Sequence, residues 1–167
     1  RSRRHNLLQT ASREFQQAGI VKVRNSTGQD FARHDAVYLD QPIIIPTSDQ
    51  QDWPYREWAS QVAFEAQAPT NRNHLGRLAI LIEPIPDGSI GLAVVDGVVQ
   101  TKITVDDPWH EYADIDPVSP SRRLASNGDG SSTCQILWKE DGTGELWATV
   151  RISNASQIIF LAKPAGT

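Results

Sequence analysis

The densest run of chemistry-bearing side chains is DDPWHEYADID, which sets Asp106, Asp107, His110, Glu111, Asp114 and Asp116 within eleven residues. Clustered carboxylates can hold a hard divalent cation, but the ligand spacing of an EF-hand loop is missing. The expectation is a solvated acidic loop with no metal bound. SNGDGSS, from Ser126 to Ser132, has part of a calcium-loop pattern but lacks its closing glutamate, so it reads as a turn. The histidines His5, His34, His74 and His110 are scattered, and none has a zinc-type spacing such as HExxH.

Nucleophilic and phosphate chemistry find no better footing. There is no GxSxG elbow, and the single cysteine, Cys134, has the setting of a small core residue. A lone thiol cannot form an internal disulfide, so the fold does not depend on an oxidising compartment. The stretch IEPIPDGSIGLAVVDGVV, from Ile82 to Val99, carries glycines that invite a phosphate-loop reading. A phosphate loop leads into a helix with Lys and Ser or Thr placed on it, whereas β-branched residues follow these glycines. No catalytic residue and no cofactor is expected, although a carboxylate pair for glycoside cleavage, and with it a small hydrolase, stays open as a third reading.

The elements that must position these residues are mostly strands. Asp87-Gly88 and Asp96-Gly97, each flanked by apolar runs, are hairpin signals because glycine accepts the positive φ that a tight turn needs. A hairpin at Asp96-Gly97 sets Val94 opposite Val99 and Leu92 opposite Thr101. One face then collects Leu92, Val94, Val99, Ile103 and Val105, and the other shows Gln100, Lys102 and Thr104. A second hairpin, turning through Gly142-Thr143-Gly144, aligns Cys134, Ile136 and Trp138 with Ile152, Val150 and Ala148, all on one apolar face.

Further strands are expected from Ile20 to Arg24, from Arg33 to Leu39, and in VAFEA, where Val62, Phe64 and Ala66 alternate to one side. TSDQQDWPYREW, from Thr47 to Trp58, is a polar, aromatic excursion with room for a helical turn. Residues 106 to 132, with three prolines, read as one long irregular loop. Before the strands, Leu8, Ala11, Phe15 and Ala18 recur at helical spacing, with Asn6 as cap and Gly19 as terminator. The fold expected is all-β, a small barrel or sandwich built from hairpins, with a short N-terminal helix and basic arm. The division is residues 1–18 for arm and helix and 19–167 for a single β domain.

Charge is unevenly spread along the 167 residues. The net charge is −4, yet the only charged residues among the first thirteen are Arg1, Arg3, Arg4 and Arg13. The remainder carries 12 basic and 20 acidic groups, a balance of −8. A basic arm on an acidic body suits docking on something negative, or simple solvation of a chain end. No apolar run approaches the roughly 18 residues that a membrane-spanning helix needs, and neither membrane nor nucleic acid is expected as a partner. Trp53, Tyr55, Trp58, Trp109 and Tyr112 fall in polar segments, where they either face a protein or sugar partner or cover the ends of a small β core.

The landmarks VRNSTGQDFARHDAVYL, VAFEA and HLGRLAILIEPIPDGSIGLAVVDGVV, followed by a late glycine-rich hairpin, resemble small β-rich modules of tailed-phage virions. These are capsid decoration (cement) proteins and fibre or spike domains. The matching residues are Val23, Asn25, Thr27, Gly28, Val37, Tyr38, Leu39, Leu75, Gly76, Gly88, Gly91, Val94, Val95, Gly97 and Val98. The resemblance implies a non-enzymatic component of the virion, a homotrimer on the capsid surface, assembled in the host cytoplasm, that clamps subunits of the major capsid protein. Arg1, Arg3, Arg4, Leu8 and Phe15 would then anchor it, with Trp53, Tyr55 and Trp58 between subunits. The aromatic insertion at 51–58 and the segment 106–132 depart from the pattern. The alternative that the resemblance also allows is a glycan- or receptor-binding module of a tail fibre or spike, with Trp109, Tyr112 and the acidic loop as its platform.

Overall fold

The computed structural model describes residues 19–70 and 76–153. The N-terminal helix and basic arm expected before Gly19 lie outside the described residues. Among the described residues, ten strands and one helix follow in chain order: β1 (Ile20–Asn25), β2 (Ala36–Pro42), α1 (Trp53–Ser60), β3 (Ala63–Gln67), β4 (Leu78–Leu81) and β5 (Ile90–Val94) in the first half. The second half holds β6 (Gly97–Val105), β7 (Tyr112–Asp114), β8 (Leu124–Asn127), β9 (Cys134–Lys139) and β10 (Gly144–Ile152). The fold is all-β.

The strands close into two five-stranded barrels, ordered β1-β3-β2-β4-β5 and β10-β6-β8-β7-β9. Their connectivity is the same. In each barrel the first and third strands pair in parallel, β1 with β3 and β6 with β8. In each, every other neighbouring pair is antiparallel, ending with the fifth strand against the first. Closure leaves no open sheet edge among the described strands, which is how short strands of four or five residues can be held without long ladders.

Four sequence expectations fail at this level. The turn at Asp96-Gly97 is tight, with Gly97 at φ 118°, but it does not join a hairpin: β5 pairs with β1 and β4, and β6 with β10 and β8. Local turn chemistry specified the bend, while the hydrogen-bonding edges of both strands were taken by others. The bend hands the chain from one barrel to the next. The alternation expected in β6 does hold, with Val99, Ile103 and Val105 buried and Gln100 and Thr104 exposed.

The segment 106–132 is not one loop, since β7 and β8 lie within it and complete the second barrel. Three or four residues per strand, among prolines and aspartates, carry too little alternation to be recognised alone. In the last hairpin Cys134 faces Ile152 and Ile136 faces Val150 as expected, but the register then shifts and Trp138 faces Thr149 instead of Ala148. A bulge of this kind inserts one residue and turns the next side chain to the opposite face. Trp138 therefore points outward, 57% exposed. Val62, expected to alternate inward, precedes β3 and is exposed.

The core explains the arrangement. Val23, Phe31, Val37, Ala66, Ala79, Leu81, Ile85 and Ala93 fill the first barrel. Ala36, Leu78, Ile80 and Val94, from strands of that barrel, belong instead to the cluster of the second, with Ile103, Leu124 and Val150. Strand β4 is thus buried on both faces, Ala79 and Leu81 on one side and Leu78 and Ile80 on the other. An uninterrupted apolar run is what a strand covered on both sides requires.

Candidate interaction surfaces

Helix α1 begins at Trp53 with a proline in its first turn, where a missing N–H costs nothing. None of its residues is buried. Tyr55 and Trp58 lie one turn apart and their rings meet at 6.0 Å, tilted by 45°. Two clefts flank Trp58. One, of ≈ 250 Å³, is lined by Ile43, Ile44, Ala63 and Ile90 beside Lys22 and Gln61. The other, of ≈ 350 Å³, is lined by Pro42, Val62, Ala63 and Phe64. Gln61 donates to Glu57 at 2.7 Å and accepts from Lys22 Nζ at 3.1 Å, so the helix is strapped to β1 at one end of the first cleft. Trp53, at the start of the helix, is exposed like Trp58.

Trp109 and Tyr112 belong to the second barrel, on the loop after β6 and at the start of β7. Trp109 is 87% exposed, and its backbone N–H donates to Asp107 Oδ1 at 2.9 Å. Tyr112 is half-buried against Gly130, with its hydroxyl 3.6 Å from where a Cβ on that glycine would stand. The five aromatic candidates therefore divide between the barrels, three on α1 and two at the end of the second.

The acidic run is used largely to hold backbone. Asp114 accepts from the Ile115 N–H and from Thr133, and Asp116 from the N–H groups of Val118 and Ser119. Asp129 accepts from the backbone and the hydroxyl of Ser131, which hold its carboxyl below the ordinary carboxylate range. Among the described residues no three metal-ligating side chains converge on one point.

One constellation was hidden by sequence distance. His110 Nδ1 stands 3.0 Å from Ser126 Oγ and 3.2 Å from Asp106 Oδ1, and Ser126 Oγ donates to the same Asp106 oxygen at 3.3 Å. A serine-histidine-aspartate relay needs the hydroxyl and the carboxylate on opposite ring nitrogens. Here both meet Nδ1, while Nε2 is 4.0 Å from Asp107. With Ser126 buried on β8, the trio pins the loop that carries Trp109 to the barrel wall. Cys134 is also buried. Its thiol pKa is pushed up by desolvation first and by the charge of Asp114 second, which keeps it in the unreactive thiol form.

The anchor candidates Arg1, Arg3, Arg4, Leu8 and Phe15 lie outside the described residues. No family model matches the chain, and no curated protein matches it. Among solved structures it is similar to the N base of the head fibre gp8.5 of bacteriophage phi29, with TM-score 0.46 and 10% identity. That likeness covers 81% of this chain and 95% of that one.

Proposed function

We propose that the chain is a structural protein of a tailed-phage virion that decorates the head by clamping subunits of the major capsid protein, as a trimer. The observation that carries the reading is the face around α1. A helix with no buried residue, presenting Trp58 between two apolar clefts and Trp53 to solvent, is costly to leave in water and suited to burial against another protein surface. Aromatic anchors seated in desolvated clefts carry most of the free energy in such interfaces. The sequence resemblance to decoration modules supports the capsid as the partner, with the basic arm of Arg1, Arg3 and Arg4 on the shell.

The function would be mechanical, since subunits tied together by buried surface are stabilised by mass action. The deciding experiment adds the purified chain to capsids freed of it and counts bound copies by native mass measurement. The reading expects a copy number in multiples of three and binding weakened about 30-fold or more by Trp58→Ala, the cost of losing an anchor worth about 2 kcal/mol. A chain lacking residues 1–18 that bound as tightly as the full chain would remove the arm from the anchor. Full binding by the Trp58 variant would remove α1.

A further inference from the structure

We propose that the outer face of the second barrel, together with the groove between the barrels, binds an anionic polysaccharide chain. This site is separate from the α1 face and stands whether or not the chain decorates a capsid. It is built on three strands. Across β6 and β10, Val98 pairs with Arg151, Gln100 with Thr149 and Lys102 with Trp147. Across β10 and β9, Thr149 pairs with Trp138 and Arg151 with Gln135. The residues that alternate with these on β6 and β10, among them Val99, Thr101, Ile103, Ala148 and Val150, are buried in the barrel, so the named set shares the solvent side.

Two features give this face the character of a site. The bulge before Trp138 turns an indole out of the apolar face and into water, next to Trp147, which is itself 44% exposed. Trp147 is held in place, with Lys102 Nζ 5.2 Å from its ring centre and the His34 ring edge-on at 5.1 Å and 76°. His34 comes from the first barrel, where it adopts the unusual φ of 73° and meets the Gln100 carbonyl through Nδ1 at 2.9 Å. Alongside runs a groove of ≈ 310 Å³ lined by Arg33, His34, Val98, Gln100 and Thr149 among others.

The chemistry fits sugar. Flat indoles accept the C–H face of a pyranose ring, and the amides of Gln100 and Gln135 and the hydroxyl of Thr149 can exchange hydrogen bonds with its hydroxyls. A protein partner would favour an apolar centre with a polar rim. Here the polar Gln100–Thr149 pair, bonded at 2.6 Å, occupies the centre and the aromatics stand beside it. Charge selects the class of sugar. Glu145 is paired with Lys102 at 3.8 Å and Arg123 at 4.0 Å. Arg33 in the groove and Arg151 on the face present guanidinium groups that match carboxylates, on a chain whose net charge is −4.

Affinity electrophoresis and calorimetry with polygalacturonate, and with dextran as the neutral control, test the proposal. The wild-type chain should be retained by the polyuronate and not by dextran. Trp138→Ala should weaken retention tenfold or more, with far-ultraviolet circular dichroism unchanged because the ring is largely exposed. Trp147→Ala should do the same, Arg33→Gln with Arg151→Gln should abolish the preference for the acidic polymer, and Trp58→Ala should leave retention intact. Equal retention on both polymers would overturn the anionic assignment. Retention unaffected by Trp138→Ala, or no retention on either polymer, would overturn the site. If Trp138→Ala instead weakened self-association or capsid binding and no saccharide was retained, the face would be a protein interface and the proposal would fail.

Discussion

Arg122 of the second barrel reaches across to Asp35 of the first, placing Nη1 3.2 Å from Oδ2 on a side chain that is 7% exposed. The same guanidinium donates to the Asp30 carbonyl at 2.8 Å and lies 5.3 Å from the ring centre of Phe31. Arg123 Nη1 meets the other Asp35 oxygen at 3.5 Å, and Ala36 N–H donates to the Arg122 carbonyl at 2.9 Å. The loop from Asp30 to Asp35 is therefore a clasp between barrels. A buried carboxylate is favourable only while its partners remain, and both arginines here are about one-third exposed, which lowers the gain. Asp35→Ala should cost about 2 to 3 kcal/mol in urea unfolding. Asp35→Asn should cost about half that, because the side-chain oxygen can still accept from the Ala32 N–H. Equal losses would mean that the hydrogen bond contributes nothing beyond the charge, and an Asn variant as stable as wild type would mean that the charge contributes nothing.

Asn25 is fully buried at the end of β1 and serves two loops at once. Its Nδ2 donates to the carbonyls of Gln29 and Ile85, at 2.6 and 2.9 Å, while Oδ1 accepts from the Thr27 N–H and hydroxyl. The two loops are joined again where Gly28 N–H donates to Asp87 Oδ1 and Asp87 N–H to Asp30 Oδ1. Asn25→Ala leaves two carbonyls without this donor and should destabilise by about 2 to 3 kcal/mol. Asn25→Asp keeps the shape but turns an acceptor toward two acceptors, so it should be the worse of the two. Denaturant midpoints for both variants check the order.

How legible this was depends on the distance over which each feature is encoded. The turn at Asp87-Gly88 was recognisable because turn chemistry is local. The inward face of β6 followed from alternation alone. Pairing partners did not follow: Asp96-Gly97 signals a bend equally well within a hairpin or between barrels, and the choice rests on which strands saturate β5 and β6. The direction of Trp138 depends on one extra residue near Leu137, which alternation does not register. The seam residues His34, Asp35, Arg122 and Trp147 were missed as a group because they are more than a hundred positions apart at the extreme, His34 from Trp147, and meet only when both barrels have closed.

Gly91 tests how tightly the first barrel is filled. A Cβ there would stand 2.6 Å from Ile85 Cγ1 and 2.7 Å from Glu83 Oε1, distances that require something to move. Ile85 is buried and joined to Phe31 by a pair of backbone hydrogen bonds, at 3.0 and 2.9 Å, so it cannot swing away freely. Gly91→Ala should cost about 1 to 3 kcal/mol, the usual range for overpacking. Combining it with Ile85→Ala, which removes both Cγ1 and Cδ1, should give a loss smaller than the sum of the two single losses. Additive losses in the double variant would show that the strain lies in the backbone and not in the Ile85 contact.

The buried thiol gives the stability a dependence on alkaline pH. Desolvation, and secondarily the charge of Asp114, raise the Cys134 pKa in the folded state, whereas the unfolded chain releases this proton near the ordinary thiol value of about 8.5. Above that value the unfolded state binds fewer protons than the folded state, so stability falls as pH rises, by up to about 1.4 kcal/mol per unit from this one group. Below it both states hold the proton and the contribution is flat. Unfolding free energies of wild type and Cys134→Ala, compared from pH 7 to 11, should differ by a constant amount up to about pH 8. The wild type should then lose stability faster than the variant. Native protein should also resist iodoacetamide at pH 8 and react once urea unfolds it. Parallel curves, or rapid native alkylation, would place the thiol in contact with water.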